Sequence, residues 1–457
     1  MRRAGGRALG AAWCLSSFLG VSLWTGGARA QTAPPAPATR DVPGDDAGND
    51  DAGNDSVGYT PPSDGPGAPS SIVINGYIDV GYARAQGDGT SFSSTDTRMP
   101  TDYGVDPFAP AVNSRGDVAS TAHGDRLVNG FLPRSVGIGG RPSFLLNTVA
   151  LDFKYVSPSA PLTIFTRVLG LPRFSDSGDA TRFLVEQAFG RIIPFDSLEL
   201  ALAVGKFDSV FGIEYLDNEA NIRTGITPSL VARYTTGQSL GAKLFYRLQL
   251  APLWSALSLN VAATNHGSFI ESLQTADASL TGVPVATARL GYELNLPHVQ
   301  LKLGASGAYG PRNDQSDRGA KLQLHGADFR LALFGLYLNA EAVQVDEDAG
   351  AAKTTPTGPQ LVASGFHARG FYAQLAYAFA LEAAGPLHKV TPYARYEQRQ
   401  AHFEGFDEVT VDRLTVGVRV ELWDAVIVKG EWLVNRELAG APNVPNNVQT
   451  ASVVYSW

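Results

Sequence analysis

From Ser71 to Trp457 apolar and polar residues alternate one for one, in segment after segment. Successive side chains of an extended strand point to opposite faces, so a period of two describes a strand with one greasy face and excludes a helix. In IVINGYIDVGYA, Ile72, Ile74, Ile78, Val80 and Tyr82 share one face, and Asn75, Tyr77 and Asp79 share the other. SLGAKLFYRLQL sets Leu240, Ala242, Leu244, Tyr246, Leu248 and Leu250 against Lys243, Arg247 and Gln249. RLTVGVRVEL sets Leu414, Val416, Val418, Val420 and Leu422 against Arg413, Thr415, Arg419 and Glu421, and AVIVKGEWLVN repeats the pattern with Lys429, Glu431 and Asn435 on its polar face.

Three features distinguish a membrane barrel from a soluble sandwich. The alternating runs are about ten to twelve residues long, enough for a tilted strand to cross a bilayer. Their polar face is charged on strand after strand, as a water-filled lumen allows. Their connections alternate in length. Long ones fall near residues 84–142, 171–180, 207–228, 266–282, 311–320, 346–369, 400–410 and 437–447. Short ones fall near 157–161, 194–197, 251–255, 296–298, 334–335, 381–389 and 423–424. The expectation is an all-β fold: a transmembrane antiparallel β-barrel of about sixteen strands over residues 71–457, with short periplasmic turns and long external loops. Two segments fit badly. RFLVEQAFGRII (182–193) has no clean face, because Glu186 shares parity with Leu184 and Ile192. KLQLHGADFRLALF changes phase between Leu324 and Ala327, which predicts a bulge.

The final residues, QTASVVYSW, alternate to the last position. An open sheet edge in lipid leaves backbone groups unpaired at several kcal/mol each, so this strand is expected to close the barrel against the first. Tyr455 and Trp457, at the end of this barrel-closing strand, resemble the C-terminal signal read by the barrel-assembly machinery. Trp254, Trp423 and Trp457 all fall at short turns or the terminus, at the headgroup level that indoles favour.

The N-terminus reads differently. Arg2, Arg3 and Arg7 precede the apolar stretch Leu9–Trp24, and Ala28-Arg29-Ala30 is an A-x-A cleavage site, so residues 1–30 are a secretory signal peptide. The single cysteine, Cys14, lies inside it and follows the bulky Trp13, a poor setting for lipidation. The mature chain would have no thiol chemistry. Residues 31–70 are rich in Pro, Gly and Asp and repeat DAGND in tandem; they form a disordered acidic linker, expected in the periplasm. Without EF-hand spacing the repeat reads as a solvated spacer rather than a Ca²⁺ site. The chain has 36 Lys and Arg against 44 Asp and Glu, a balance of −8. Four of the arginines lie in the signal, so the mature balance is −12, which argues against a nucleic-acid partner.

QAFGRIIPFDSLELALAVGKFDSVFGIEYLDNEANIRTG (187–225), followed by TTGQSLGAKLFYRL, resembles the putative β-barrel porin-2 (OmpL-like) family. The run G-K-F, G-I-E-Y, N and T-G carries the resemblance. GADFRLALFGLYLNAEAVQ and VTPYARYEQR resemble, more distantly, phosphate-selective porins O and P. The resemblance implies a sixteen-stranded passive channel in a bacterial outer membrane, often a homotrimer, in contact with lipid and lipopolysaccharide and carrying small hydrophilic solutes. It also implies that the third external loop folds inward as a constriction. In this chain that loop carries Asp208, Glu214, Asp217 and Glu219, and inward positions nearby offer a basic lumen wall of Arg167, Lys243 and Arg247. Opposed charges across a narrow pore make a transverse field that sorts solutes by dipole and charge.

A phosphate path needs Arg and Lys with few acids nearby. Here Arg289, Lys302, Arg330, Arg395, Arg413, Arg419 and Lys429 alternate with Glu293, Glu341, Glu397, Glu421 and Glu431, which suits lumen scaffolding and weak selectivity. An anion-preferring or phosphate-preferring porin, and a surface adhesin or structural barrel with a plugged lumen, are the alternatives. Enzyme signals are thin: no H-E-x-x-H, P-loop or G-x-S-x-G appears, and the seven histidines, His123, His266, His298, His325, His367, His388 and His402, are scattered. His325 with Ser306 is the one pair worth testing for a barrel hydrolase, and chance explains it better. Arg115-Gly116-Asp117 reads as coincidence, and Asp346-Glu347-Asp348 as a solvated loop rather than a Ca²⁺ site. No catalytic residue, cofactor or metal is expected.

Overall fold

The computed structural model describes residues 71–85, 143–171, 182–195, 197–250, 254–265, 282–311, 320–349, 353–355, 358–360, 365–381, 385–405, 408–423, 425–438 and 447–457. The signal, the linker and the first long connection with Arg115–Asp117 lie outside them. The barrel strands are β1 (Ser71–Ala85), β2 (Ser143–Val156), β3 (Leu162–Leu171), β4 (Arg182–Ile192), β5 (Glu199–Asp208), β6 (Gln238–Gln249), β7 (Ser255–Thr264) and β8 (Val285–Leu296). They continue as β9 (Val299–Pro311), β10 (Lys321–Leu333), β11 (Leu336–Glu347), β12 (Phe366–Tyr377, extended by Phe379–Ala380), β13 (Leu387–Phe403), β14 (Val409–Leu422), β15 (Val426–Glu437) and β16 (Val448–Ser456). Each pairs antiparallel with its neighbours in sequence, and β16 pairs with β1, which closes a sixteen-stranded barrel. Lys353–Thr355 and Gly358–Gln360 form a small hairpin in the connection between β11 and β12. No helix among the described residues is long and apolar enough to cross a membrane.

The alternation places side chains as their chemistry requires. Ile72, Val204, Leu290, Val416 and Trp432 are exposed on the outer wall, the face lipid covers. Asp79, Arg167, Lys243, Glu397, Arg413 and Lys429 are buried on the inner wall. Trp254, Trp423 and Trp457 stand exposed at short turns and at the terminus.

The seam between β16 and β1 is fully paired. Ile78 faces Tyr455 and Val80 faces Val453, and Gly76 and Trp457 exchange backbone hydrogen bonds of 3.2 and 3.1 Å. Gly76 is needed for close approach: a Cβ there would lie 2.5 Å from both the Trp457 ring and the Ala150 carbonyl oxygen.

The two irregular segments resolve in different ways. In β4, Gln187 pairs with Arg167 but Val185 pairs with Val168, so Glu186 is an extra residue that swaps the faces of the strand. Phe183 and Val185 point outward on one side of it, and Gln187 and Arg191 point inward on the other. β10 corrects the expectation of a bulge. It pairs with β9 and β11 without a register shift. Its inward positions are apolar near one end because Leu322 and Leu324 are buried against a loop inside the barrel.

Candidate functional site: the loop across the lumen

The connection between β5 and β6 runs from residue 209 to 237, longer than the 207–228 read from the sequence. Ser209 donates to the Gly237 carbonyl at 3.0 Å and closes its neck. The loop holds a short 3₁₀ turn (Glu214–Asp217) and a one-turn helix, α1 (Ala232–Thr235). A chain segment with so little regular structure must find other partners for its buried backbone groups. The inner wall supplies them.

Leaving β5, the loop first meets β9 to β11. Gly212 donates to Ser306 Oγ at 3.0 Å, Ile213 donates to Glu341 Oε1 at 3.1 Å, and Arg330 donates to the Ile213 carbonyl at 2.9 Å. Gly212 has φ of +74°, and a Cβ there would collide with Glu341. Farther on, residues 220–228 reach the far wall. Lys429 donates to the carbonyls of Ala220, Arg223 and Gly225, and Arg419 to those of Ile222 and Arg223. Arg395 donates to Thr227 and Pro228, and Arg413 to Pro228. The acids of the same wall take the amides: Glu431 accepts from Ile226 and Thr227, and Glu397 from Leu230. Cations on β13 to β15 thus hold carbonyls, and carboxylates between them hold N–H groups. Phe211 at its start and Leu230, Val231 and Tyr234 on its return pack with Val285, Leu322, Leu324, Val345, Phe366 and Val411 in one apolar cluster.

The four acids singled out from the sequence lie at the neck of this loop or within it. Asp208 accepts from Gln187 at 2.7 Å and from Gln238 at 3.0 Å, at the neck. Glu214 folds back on its own loop and accepts from the amide and hydroxyl of Ser229. Burial pushes the Glu214 carboxyl above the ordinary glutamate range, against the pull of Arg395 and Ser229. Asp217 pairs with Arg330 at 2.7 Å. Glu219 pairs with Arg167 at 2.7 Å and accepts from the Tyr77 hydroxyl.

The basic residues are equally engaged. Arg167 is held by Asp152 at 2.6 Å as well as by Glu219. Lys243 is buried, with its ammonium 4.7 Å from the centre of the Phe207 ring. Arg247 lies apart from them, between Glu199 at 2.9 Å and Glu293 at 3.3 Å, and is partly exposed. The three do not form a ladder of uncompensated charge. Ser306 and His325 are not a pair: Ser306 is buried and holds the loop at Gly212, while His325 is exposed on the other face of the wall. Of the three-residue acidic run, Asp346 is bound to His367 and Gln344, Asp348 accepts from the Lys321 amide, and Glu347 is buried.

No protein-family model and no curated protein sequence matches the chain, so the family resemblance of residues 187–225 does not become an assignment. Solved structures with a similar path include the outer membrane channel DcaP of Acinetobacter baumannii, with 11% identity, TM-score 0.49, and coverage of 88% of this chain and 100% of that one. They also include an anion-selective porin from Comamonas acidovorans, with 10% identity, TM-score 0.47, and coverage of 85% and 100%. A third is OmpT, an outer membrane protein of Vibrio cholerae in trimer form, with 11% identity, TM-score 0.47, and coverage of 85% and 100%. The assignment of this chain as a barrel rests on its own strand pairing.

Proposed function

We propose that the chain is an outer-membrane porin, a passive diffusion channel for small hydrophilic solutes and ions. The observation that carries this reading is the 209–237 loop, which crosses a closed barrel with an apolar outer face and is bonded to the opposite inner wall. A bonded loop narrows the lumen without swinging out of it, so it serves as a fixed constriction. Ion pairs distributed around it, such as Arg330–Asp217, Arg247–Glu199 and Arg419–Glu421, orient water and screen solutes by dipole. Selectivity is weak because the charges are matched, and the mature balance of −12 tilts it toward cations. A phosphate-preferring path is disfavoured, since Arg395, Arg413, Arg419 and Lys429 hold loop carbonyls. In this reading the long connections face outward in contact with lipopolysaccharide, and the acidic linker extends into the periplasm. Tyr455 and Trp457 present the terminal strand to the barrel-assembly machinery, and the working form is a homotrimer.

A plugged structural barrel is the second reading, favoured by the apolar cluster that joins the loop to β8–β14. Swelling of liposomes in neutral sugars of graded size separates the two. A porin admits monosaccharides and excludes larger oligosaccharides at a sharp cut-off. A plugged barrel admits none, and that result would remove the channel reading.

A further inference from the structure

We propose that His367 and His402 form a binding site for a divalent transition-metal ion on the outer face of the barrel, at the long-loop ends of β12 and β13. The two residues are register partners on adjacent strands, and their rings lie 5.2 Å apart, tilted by 32°. The His367 imidazole is hydrogen-bonded at Nδ1 to a carboxylate, and His402 has a carboxylate nearby on the same side of its ring. His367 Nδ1 lies 2.9 Å from Asp346, whose other oxygen accepts from Gln344 at 2.7 Å. His402 Nδ1 lies 3.8 Å from Glu408. Glu408 accepts from the Gln400 amide, and Gln400 in turn accepts from Arg369 at 2.5 Å. A carboxylate behind Nδ1 fixes the ring, raises its basicity and directs Nε2 to a metal. His367 has this arrangement, and His402, whose ring lies beside it, has Glu408 within reach of the same role. Neither Nε2 has a hydrogen-bond partner among the described residues.

The side chains are 46% and 34% exposed, so an ion reaches them from solvent. The next outward aromatics down the wall, Phe371 and Tyr396, contact each other with ring centres 6.1 Å apart, which places the histidines above the apolar band. Among the described residues no group of three or more His, Cys, Asp or Glu side chains is arranged to hold a metal. The site therefore offers two imidazoles and completes its shell with water. That donor set suits Zn²⁺, Cu²⁺ or Ni²⁺, and not Ca²⁺ or Mg²⁺, which want several oxygens. Its location on the outer wall makes it independent of the channel reading.

The test is calorimetric titration of the tag-free full chain in detergent with Zn²⁺. The wild-type chain binds an equivalent of Zn²⁺ that the double variant His367→Ala/His402→Ala lacks. Asp346→Asn weakens that equivalent about tenfold, as loss of an outer-shell carboxylate does. His325→Ala, another outward histidine, leaves it intact. Excess Ca²⁺ does not compete. A second measurement needs no variant: bound Zn²⁺ protects His367 and His402, but not His325, from diethyl pyrocarbonate, read by peptide mass mapping. Equal Zn²⁺ binding by the double variant, displacement by Ca²⁺, or equal modification of all three histidines would each overturn the proposal.

Discussion

Glu397 has no exposed surface, yet it sits between two guanidiniums, each 2.8 Å away on Arg395 and Arg413. It also takes the Leu230 amide of the crossing loop. Such a carboxylate is tolerated because every neighbour donates to it; removing it strands two buried cations. Glu397→Ala is expected to cost about 3–5 kcal/mol, read as a lower unfolding midpoint in the heat-modifiable mobility shift. At the seam, Gly76→Ala pushes a methyl into the Trp457 ring and the Ala150 carbonyl oxygen. The expected loss is about 1–3 kcal/mol, seen in the same assay. The sequence already showed Arg395 with Glu397 and Arg419 with Glu421, because residues two apart share a face of a strand. It did not show that these cations hold loop carbonyls, because Arg395 and its carbonyl partner Thr227 are 168 residues apart and no local pattern links them.

At the scale of elements, alternation alone located the strands and nearly all their connections. It failed where something other than lipid or water covers a face. β10 looked out of phase because Leu322 and Leu324 meet an apolar loop inside the lumen, and an inward leucine mimics an outward one. The loop runs past the expected residue 228 to residue 237, because Leu230, Val231 and Tyr234 are buried in an apolar cluster inside the barrel rather than in a wall strand. A continuous register in β10 makes a specific prediction. Leu324→Ala should cost about 2–5 kcal/mol, whereas the adjacent outward change His325→Ala should stay within about 0.5 kcal/mol of wild type. Equal effects at the two positions would mean that the register is wrong. The anchoring of the loop is open to a similar test: Arg419→Met with Lys429→Met should free residues 220–225, giving higher and noisier single-channel current with the barrel intact.

At the scale of the whole molecule, closure is the organising fact. A terminal strand that pairs on both edges leaves no open edge at the seam, and its alternation to the last residue was legible from the sequence. Deleting Trp457 should lower the yield of folded barrel, while deleting residues 31–70 should leave it unchanged; both are read by the fraction that resists unfolding in cold detergent. What the whole wall does together is conduct or block. Planar-bilayer recording of the purified barrel under a salt gradient addresses this directly. A weakly cation-preferring porin gives discrete ohmic steps with a small reversal potential of the corresponding sign. A folded barrel that stays electrically silent would contradict the channel reading.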